Sequence, residues 1–164
     1  MDKITLINCH LKNSSIITPN DGAAESRIGG LVGWTAGYNV ENDGPVDSYI
    51  TIKNCSVTGC TIKGAGSIAA ICGHAGANAA TFTTIENCTA TNNTLISTDD
   101  GGWRVGVVVG TANNGQCVIK NITESGNTLE QTDKTAPQGE KRNYYGRFVP
   151  SGTGTLTIDG VAIN

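Results

Sequence analysis

Aromatic and charged residues are scarce in this chain, and long apolar runs are missing. Aromatic side chains make up 5% of the 164 residues and charged side chains 15%, and there are only two histidines. Because no stretch of about 18 consecutive apolar residues occurs, we expect no membrane insertion. Basic clusters are also missing and the formal net charge is -3, so nucleic acid is not an expected partner.

The usual sequence signals of a zinc site are absent as well. No Cys-x-x-Cys pair is present among the six cysteines, and His10 and His74 are far apart without a paired ligand. Both histidines are therefore interpreted as solvated side chains. No cofactor is expected, calcium excepted.

An export signal is missing from the first residues. Met1, Asp2 and Lys3 lead directly into an alternating apolar stretch, with no basic segment, apolar region or cleavage site. We expect an excised piece of a longer protein, with flanking domains in the longer chain, in preference to a short reading frame that lacks its export signal.

Glycine, isoleucine and valine are what the chain has in abundance. Glycine occurs 22 times, and Ile and Val dominate an apolar fraction of 38%. This content and the low net charge argue against disorder, and β-branched residues favour strands. A length of 164 residues suits one modest domain, 1–164.

A short motif, aliphatic-x-Asn-Cys, recurs along the chain. In four copies an aliphatic residue stands eight positions after the motif's Asn, without insertion or deletion. Each copy also has a run of small and β-branched residues. Three strand-like segments per copy cannot bury an apolar face alone, so neighbouring copies must stack. The motifs are Leu6–Cys9, Ile52–Cys55, Ile85–Cys88 and Ile119–Ile122, with a degenerate copy at Ile158–Val161.

This repeat predicts an all-β fold, a right-handed parallel β-helix (solenoid) of about four coils. Each coil is predicted to have three short strands, and a terminal strand follows the last coil. Alternation predicts inward columns of residues, one from each coil. One such column is Ile4, Ile50, Thr83 and Cys117. Another is Leu11, Val57, Ala90 and Glu124, in which the charged Glu124 is anomalous.

Two structural columns follow from the motif itself. Asn tolerates bent backbone and can hydrogen-bond the next Asn in a stack, so the Asn column is interpreted as a structural ladder. It consists of Asn8, Asn54, Asn87 and Asn121. The next position makes an inward column of Cys9, Cys55 and Cys88. Because the cysteines alternate with aliphatic residues, we predict free, buried thiols and no disulfide framework.

The Gly-rich run Ile28–Gly33, then Gly37, then the stretch Ile52–Gly59 resembles the GLUG-type repeats of bacterial surface proteins. Those repeats occur in adhesin-like proteins and beside the peptidase of immunoglobulin A proteases. The resemblance implies an exported solenoid with an extracellular or cell-surface location, a binding or spacer role and no catalytic residues. Later runs, aligned as Ile68–Gly73, Val105–Gly110 and Tyr145–Pro150, keep fewer of the glycines.

Most of the few aromatic residues fall in two predicted series of loops. Trp34, Tyr38 and Tyr49 lie in one loop, and Trp103 and Tyr144 lie in the other series. Rings on exposed loops suit stacking on sugar faces, whereas buried rings would cap the solenoid core. Solvent-facing rings that share a groove would favour ligand binding.

Acidic side chains near glycine are candidate calcium ligands. Asp43 and Asp47 form one group, and Asp99 and Asp100 form the other. Calcium takes several oxygen ligands, but neither group has the spacing of an EF-hand loop. Solvated turn carboxylates are the alternative interpretation.

Together these features favour a non-catalytic bacterial cell-surface module for adhesion, glycan binding or spacing. Its expected partners are host or microbial glycans or surface proteins. The alternative is a fragment of a polysaccharide-active enzyme similar to pectin lyases, which would use Asp99, Asp100, Arg104 and Arg147. Such chemistry needs carboxylates that converge across adjacent coils. In the alignment of the copies, the positions equivalent to these residues in the other coils hold mostly small or neutral residues.

Overall fold

The chain winds into a β-solenoid with parallel sheets that makes about three full turns, which confirms the predicted all-β parallel β-helix. The computed structural model describes residues 2–19, 26–36, 44, 46–150, 152 and 154–163. In this part of the chain the helical structure is one 3₁₀ turn, Arg142–Tyr144. No helix in the described ranges is long and apolar enough to cross a membrane.

Each of the first three coils contains five strands, where three were predicted. The first coil has β1 (Asp2–Ile7), β2 (His10–Lys12), β3 (Ser15–Ile17), β4 (Arg27–Gly29) and β5 (Val32–Trp34). The second has β6 (Ser48–Lys53), β7 (Ser56–Thr58), β8 (Thr61–Gly64), β9 (Ser67–Ala69) and β10 (Cys72–Ala75). The third has β11 (Thr81–Glu86), β12 (Thr89–Thr91), β13 (Thr94–Ser97), β14 (Val105–Gly106) and β15 (Val109–Asn113).

The fourth coil lacks a strand equivalent to β14 and is followed by a terminal hairpin. It has β16 (Gln116–Lys120), β17 (Thr123–Ser125), β18 (Thr128–Gln131), the 3₁₀ turn and β19 (Tyr145–Val149). The hairpin consists of β20 (Thr155–Ile158) and β21 (Val161–Ile163), which pair antiparallel.

Equivalent strands of successive coils stack into five sheets. Sheet 1 contains β1, β6, β11, β16 and β20, with β21 at its edge. Sheets 2 and 3 contain β2, β7, β12, β17 and β3, β8, β13, β18. Sheet 4 contains β4, β9 and β14, and sheet 5 contains β5, β10, β15 and β19.

The predicted register of sheets 1 and 2 is confirmed. Ile4 pairs with Ile50, which pairs with Thr83, which pairs with Cys117. In sheet 2 the column also runs as predicted and ends at Glu124, which pairs with Ala90. The Glu124 carboxylate accepts hydrogen bonds from the side-chain amides of Asn143 and Asn127 at 2.7 and 3.3 Å. A charged residue is tolerated there because its oxygens have donors at the end of the stack.

Asparagine side chains explain why the strands break where they do. All four residues of the predicted Asn ladder adopt left-handed backbone, with φ between 49° and 56°. A second set of corners, between sheets 2 and 3, uses the same conformation at Asn13, Gly59, Asn92 and Gly126. Asn and Gly adopt this conformation more readily than other residues. The first set of corners, at the predicted Asn positions, separates the strands of sheets 1 and 2, and the second set separates those of sheets 2 and 3.

The core is made of the inward columns. Ile52, Val57, Ile62 and Ile85 have no exposed surface, whereas Leu6, Leu11 and Ile16 in the first coil are half-buried at the end of the stack. Ile4 on the same coil is 60% exposed. All six cysteines are free thiols, and five are buried, Cys9 being half-buried.

Sheets 4 and 5 pack against each other through glycine backbone. A Cβ atom on Gly73 would lie 2.5 Å from the backbone nitrogen of Ile28 and 2.8 Å from the carbonyl oxygen of Gly33. No side chain fits in this space, which accounts for the glycines of the repeat. The polar side chains at the edges of the two sheets are thereby brought close together.

Candidate functional site

The predicted aromatic residues do not form one loop cluster. Trp34 is the last residue of β5 and 50% exposed, while Tyr49 lies in β6 and stacks on Phe82 at a centroid distance of 4.7 Å. The prediction that Trp34 and Tyr49 share a loop is therefore wrong, because Trp34 lies in a strand of sheet 5 and Tyr49 lies in a strand of sheet 1. Tyr38 lies outside the described residues.

Trp103 and Tyr144 lie against the core at the fourth coil. The indole nitrogen of Trp103 donates to the carbonyl oxygen of Val105 at 2.7 Å, and the ring is half-buried. Tyr144 is only 9% exposed, and its hydroxyl donates to the carbonyl oxygen of Ile122 at 3.4 Å. The buried ring of Tyr144 is not available as a stacking surface, whereas part of Trp103 faces the outside.

The candidate calcium ligands are dispersed. Asp99 is buried, its Oδ1 accepts from the backbone N–H of Gly101 at 2.9 Å, and its Oδ2 lies 3.4 Å from Nη1 of Arg104. Asp47 and Asp100 are exposed, and Asp43 is outside the described residues. Within the ranges that the structure covers, no three His, Cys, Asp or Glu side chains group as metal ligands would.

A cleft lined mainly by polar side chains lies along the edges of sheets 4 and 5. We call it the arginine cleft; its volume is about 210 Å³. Three arginines point to it from different coils, in a chain whose net charge is -3. The lining residues are Ser26, Arg27, Ser67, His74, Arg104, Thr111, Asn113, Arg147 and Val149.

His74 belongs to this cleft, and the prediction that it is solvated is wrong. It lies in β10 and is only 8% exposed. Nε of Arg27 donates to its Nδ1 at 3.0 Å, and its Nε2 lies 2.6 Å from Oδ1 of Asn113. The ring is buried because it stands between two sheets. His10, by contrast, is exposed as predicted and contacts the Ser56 hydroxyl at 2.8 Å.

Trp34 adjoins the arginine cleft through Arg27. The guanidinium carbon of Arg27 lies 4.4 Å from the centroid of the Trp34 ring, within cation–π distance. The ring also lies 6.4 Å from the ring of His74, at an interplanar angle of 50°. An exposed aromatic surface therefore stands next to a cationic cleft.

The side chains across the cleft form regular cross-links. Arg27 of sheet 4 contacts His74, which lies one coil later in sheet 5. Ser67, the next residue along that column of sheet 4, shares a hydrogen bond of 2.7 Å with Thr111, again one coil later. His74, Thr111 and Arg147 occupy successive positions of one column in sheet 5.

A second cleft adjoins the arginine cleft, and a third cleft adjoins the second. Arg147 also lines a cleft of about 400 Å³ with Trp103, Tyr145 and Phe148. A third cleft, also about 400 Å³, shares Trp103 and Arg142 with the second and continues along Ala136–Gly139. In the second cleft, the guanidinium carbon of Arg142 lies 4.2 Å from the ring centroid of Tyr145.

Sequence reasoning missed Arg27 and Asn113 and misjudged His74. The sequence does contain a signal for this column: a polar residue stands directly before each of the first three small-residue runs. These residues are Arg27, Ser67 and Arg104. Once the runs are stacked, those positions must form one column.

No protein-family model, no curated protein and no solved structure matches this chain. The residues of the clefts, together with the fold, are therefore the basis for inferring a function.

Proposed function

We propose that this chain is a non-catalytic module of a bacterial cell-surface protein and that it binds glycans. The observation that supports this is a series of three clefts, in which Arg147 lines the first and second clefts and Trp103 and Arg142 line the second and third. A groove lined by a few aromatic faces and convergent polar groups suits an extended sugar chain. The resemblance to GLUG-type repeats supports the cell-surface location.

Aromatic surfaces are available at two places along this groove. Trp34 exposes half of its surface beside the arginine cleft. Trp103, Tyr145 and Phe148 are half-buried and line the second cleft. Rings fixed by packing suit sugar stacking because little conformational entropy is lost when a ligand binds.

The positions of the carboxylates favour binding over cleavage. Asp99 is buried, accepts the N–H of Gly101 in its own turn and lies beside Arg104, so its carboxylate faces the protein interior and not a bound ligand. A general base or a catalytic metal ligand needs a carboxylate that can reach the substrate. This arrangement argues against the pectin-lyase-like alternative.

The proposal is tested with a glycan and mucin array, run with and without calcium, on the wild-type chain and two single variants. Trp34→Ala removes the ring beside the arginine cleft. Tyr49→Ala is the matched aromatic control, because Tyr49 lies on sheet 1 in a different cleft with Lys3, Thr5 and Thr51. Circular dichroism verifies that both variants keep the β fold.

Saturable binding that is lost in Trp34→Ala and kept in Tyr49→Ala is the expected result. No binding by a folded wild-type chain would overturn the proposal and favour a spacer. Loss only in Tyr49→Ala would overturn the location of the site. Release of a shortened glycan would favour the enzyme alternative, and binding that requires calcium would add the exposed Asp100 to the candidate ligands.

A further inference from the structure

We infer that the arginine cleft binds the anionic group of an acidic glycan, and that Arg104 and Arg147 are the residues that hold it. This inference rests on the proposed glycan-binding function and adds the charge class of the ligand. It follows from the order of the cross-links between sheets 4 and 5.

The first two cross-links each join compatible partners. Arg27 donates to His74, and Ser67 shares a hydrogen bond with Thr111, in each case one coil further along. Arg104, which precedes β14, is the next residue of the same sheet 4 column, and the residue one coil later in the sheet 5 column is Arg147 in β19. Both arginines line the cleft. At the third position the stacking therefore brings two cations together, where the earlier coils place a donor and an acceptor.

The charges at this position are only partly balanced. Arg104 lies 3.4 Å from the Asp99 carboxylate, which is buried. Arg147 is exposed and has no ion-pair partner in the described part of the chain. An anion with two or more oxygens can accept hydrogen bonds from both guanidinium groups at once, which suits a carboxylate or a sulfate.

The other end of the cleft, at Arg27 and His74, is held in a fixed geometry. Because Arg27 donates to Nδ1 of His74, that nitrogen is an acceptor, and the ring proton is on Nε2, facing Oδ1 of Asn113. His74 is thus a neutral group whose two nitrogens are both occupied. The cations available to a ligand are then concentrated at the Arg147 end of the cleft.

The size of the cleft limits what enters it. A volume of about 210 Å³ is below the range of roughly 300 Å³ and more that is usual for small-molecule sites. It suits one charged substituent, or one sugar residue, better than an oligosaccharide. Because Arg147 also lines the larger second cleft, the rest of a sugar chain has a continuous path beyond it.

Nuclear magnetic resonance titration of the whole chain tests the inference without an array. The probes are sodium sulfate, glucuronic acid and, as the neutral match, glucose; resonances of the Arg147 Nε–H and the His74 ring report on the cleft. Arg147→Gln removes the exposed cation. Lys63→Gln removes a cation on sheet 3, where Lys63 is also exposed, and controls for net charge.

The expected result is saturable shifts with glucuronic acid and no response to glucose. Arg147→Gln should weaken binding about tenfold or more, because a charge-assisted hydrogen bond is lost, and Lys63→Gln should change it less than twofold. Equal weakening in both variants, or equal shifts with glucose, would overturn the inference.

The two proposals fail in different ways. Anion binding at Arg147 with a silent array would remove the glycan function and leave a cleft for simple anions, which the sulfate titration identifies. If the chain binds only neutral glycans on the array and the Arg147 resonance does not shift with anions, the glycan-binding function stands and the acidic-glycan inference is wrong.

Discussion

The side-chain amide of Asn121 donates a hydrogen bond to the side-chain oxygen of Asn87, 3.2 Å away and one coil earlier. Both residues stand at the corner between sheets 1 and 2, with φ of 49° and 54°. Asn87 thus provides a left-handed corner for its own coil and a contact for the next.

Substitution of Asn87 separates these two roles. Asn87→Ala should lower the free energy of unfolding by about 1 to 2 kcal/mol, because left-handed backbone is costly for a residue with a Cβ. Asn87→Gly restores the permissive backbone without the side-chain bond and should recover most of the loss. Urea unfolding followed by circular dichroism measures both. Equal stability of the two variants would contradict a backbone role.

The glycine contact between sheets 4 and 5 should tolerate no side chain. A Cβ on Gly73 would meet backbone atoms at 2.5 to 2.8 Å, and backbone on both sheets cannot move aside. Gly73→Ala should cost about 3 kcal/mol or more, or prevent folding. Gly102→Ala is the control, because a Cβ there has nothing within 4 Å. In thermal unfolding, Gly73→Ala should melt at a clearly lower temperature than Gly102→Ala. Similar melting temperatures would show that sheets 4 and 5 can move apart to accommodate a side chain.

Buried thiols should make the protein less stable in alkali. Burial raises the pKa of the Cys72 thiol to about 12, against an ordinary value of 9.0, and that of Cys88 to about 11. Below pH 9 both folded and unfolded chains keep these protons, so stability is unaffected. Between pH 9 and the folded pKa only the unfolded chain loses them, so stability falls as pH rises.

Cys72→Val is the matched control for this pH effect. Val32 and Val109 occupy the same column in the neighbouring coils, so valine fits the local packing. The variant should lose stability less steeply between pH 9 and 11, by up to about 1.4 kcal/mol per pH unit. Urea midpoints measured across this range decide it; parallel curves for wild type and variant would contradict the assignment to Cys72.

Thiol labelling tests whether the cysteines are free. In denaturant without reductant, iodoacetamide should label all six cysteines. In the native chain Cys9, the half-buried one, should react first and the others only on unfolding. Mass spectrometry counts the labels. Fewer than six labels in denaturant would reveal an oxidised pair.

The motif spacing predicts sheets 1, 2 and 3 correctly because strict spacing between Asn and the following aliphatic residue leaves only one register. It therefore places even Glu124 in its true column. The fourth small-residue run is misaligned by four positions. Val109 pairs with Tyr145, so Gly146 stands beside Gly110 and not beside Gly106. The run Val105–Gly110 has Val-Gly at both ends, so a shift of four still matches glycine with glycine.

The arginine cleft is harder to predict from the sequence than the sheets are. Arg104 and Arg147 are visible in the sequence as candidate catalytic parts, but their proximity depends on how sheet 4 faces sheet 5. That packing is set by backbone contact at Gly73 and Gly106, which no side-chain pattern reports. The sequence pattern places Trp34 in a loop because the strands of sheet 5 are short and end where polar residues begin.

The stacking of coils also determines how the molecule responds to force. Hydrogen bonds join each coil only to its neighbours and run along the axis of the stack. Tension between the ends loads the terminal coil first, and its bonds break one after another while the remaining coils stay intact. Successive motif asparagines in the middle coils are 33 and 34 residues apart. Each coil that peels away would therefore lengthen the chain by roughly 110 Å, so the solenoid would extend in steps as a mechanical tether.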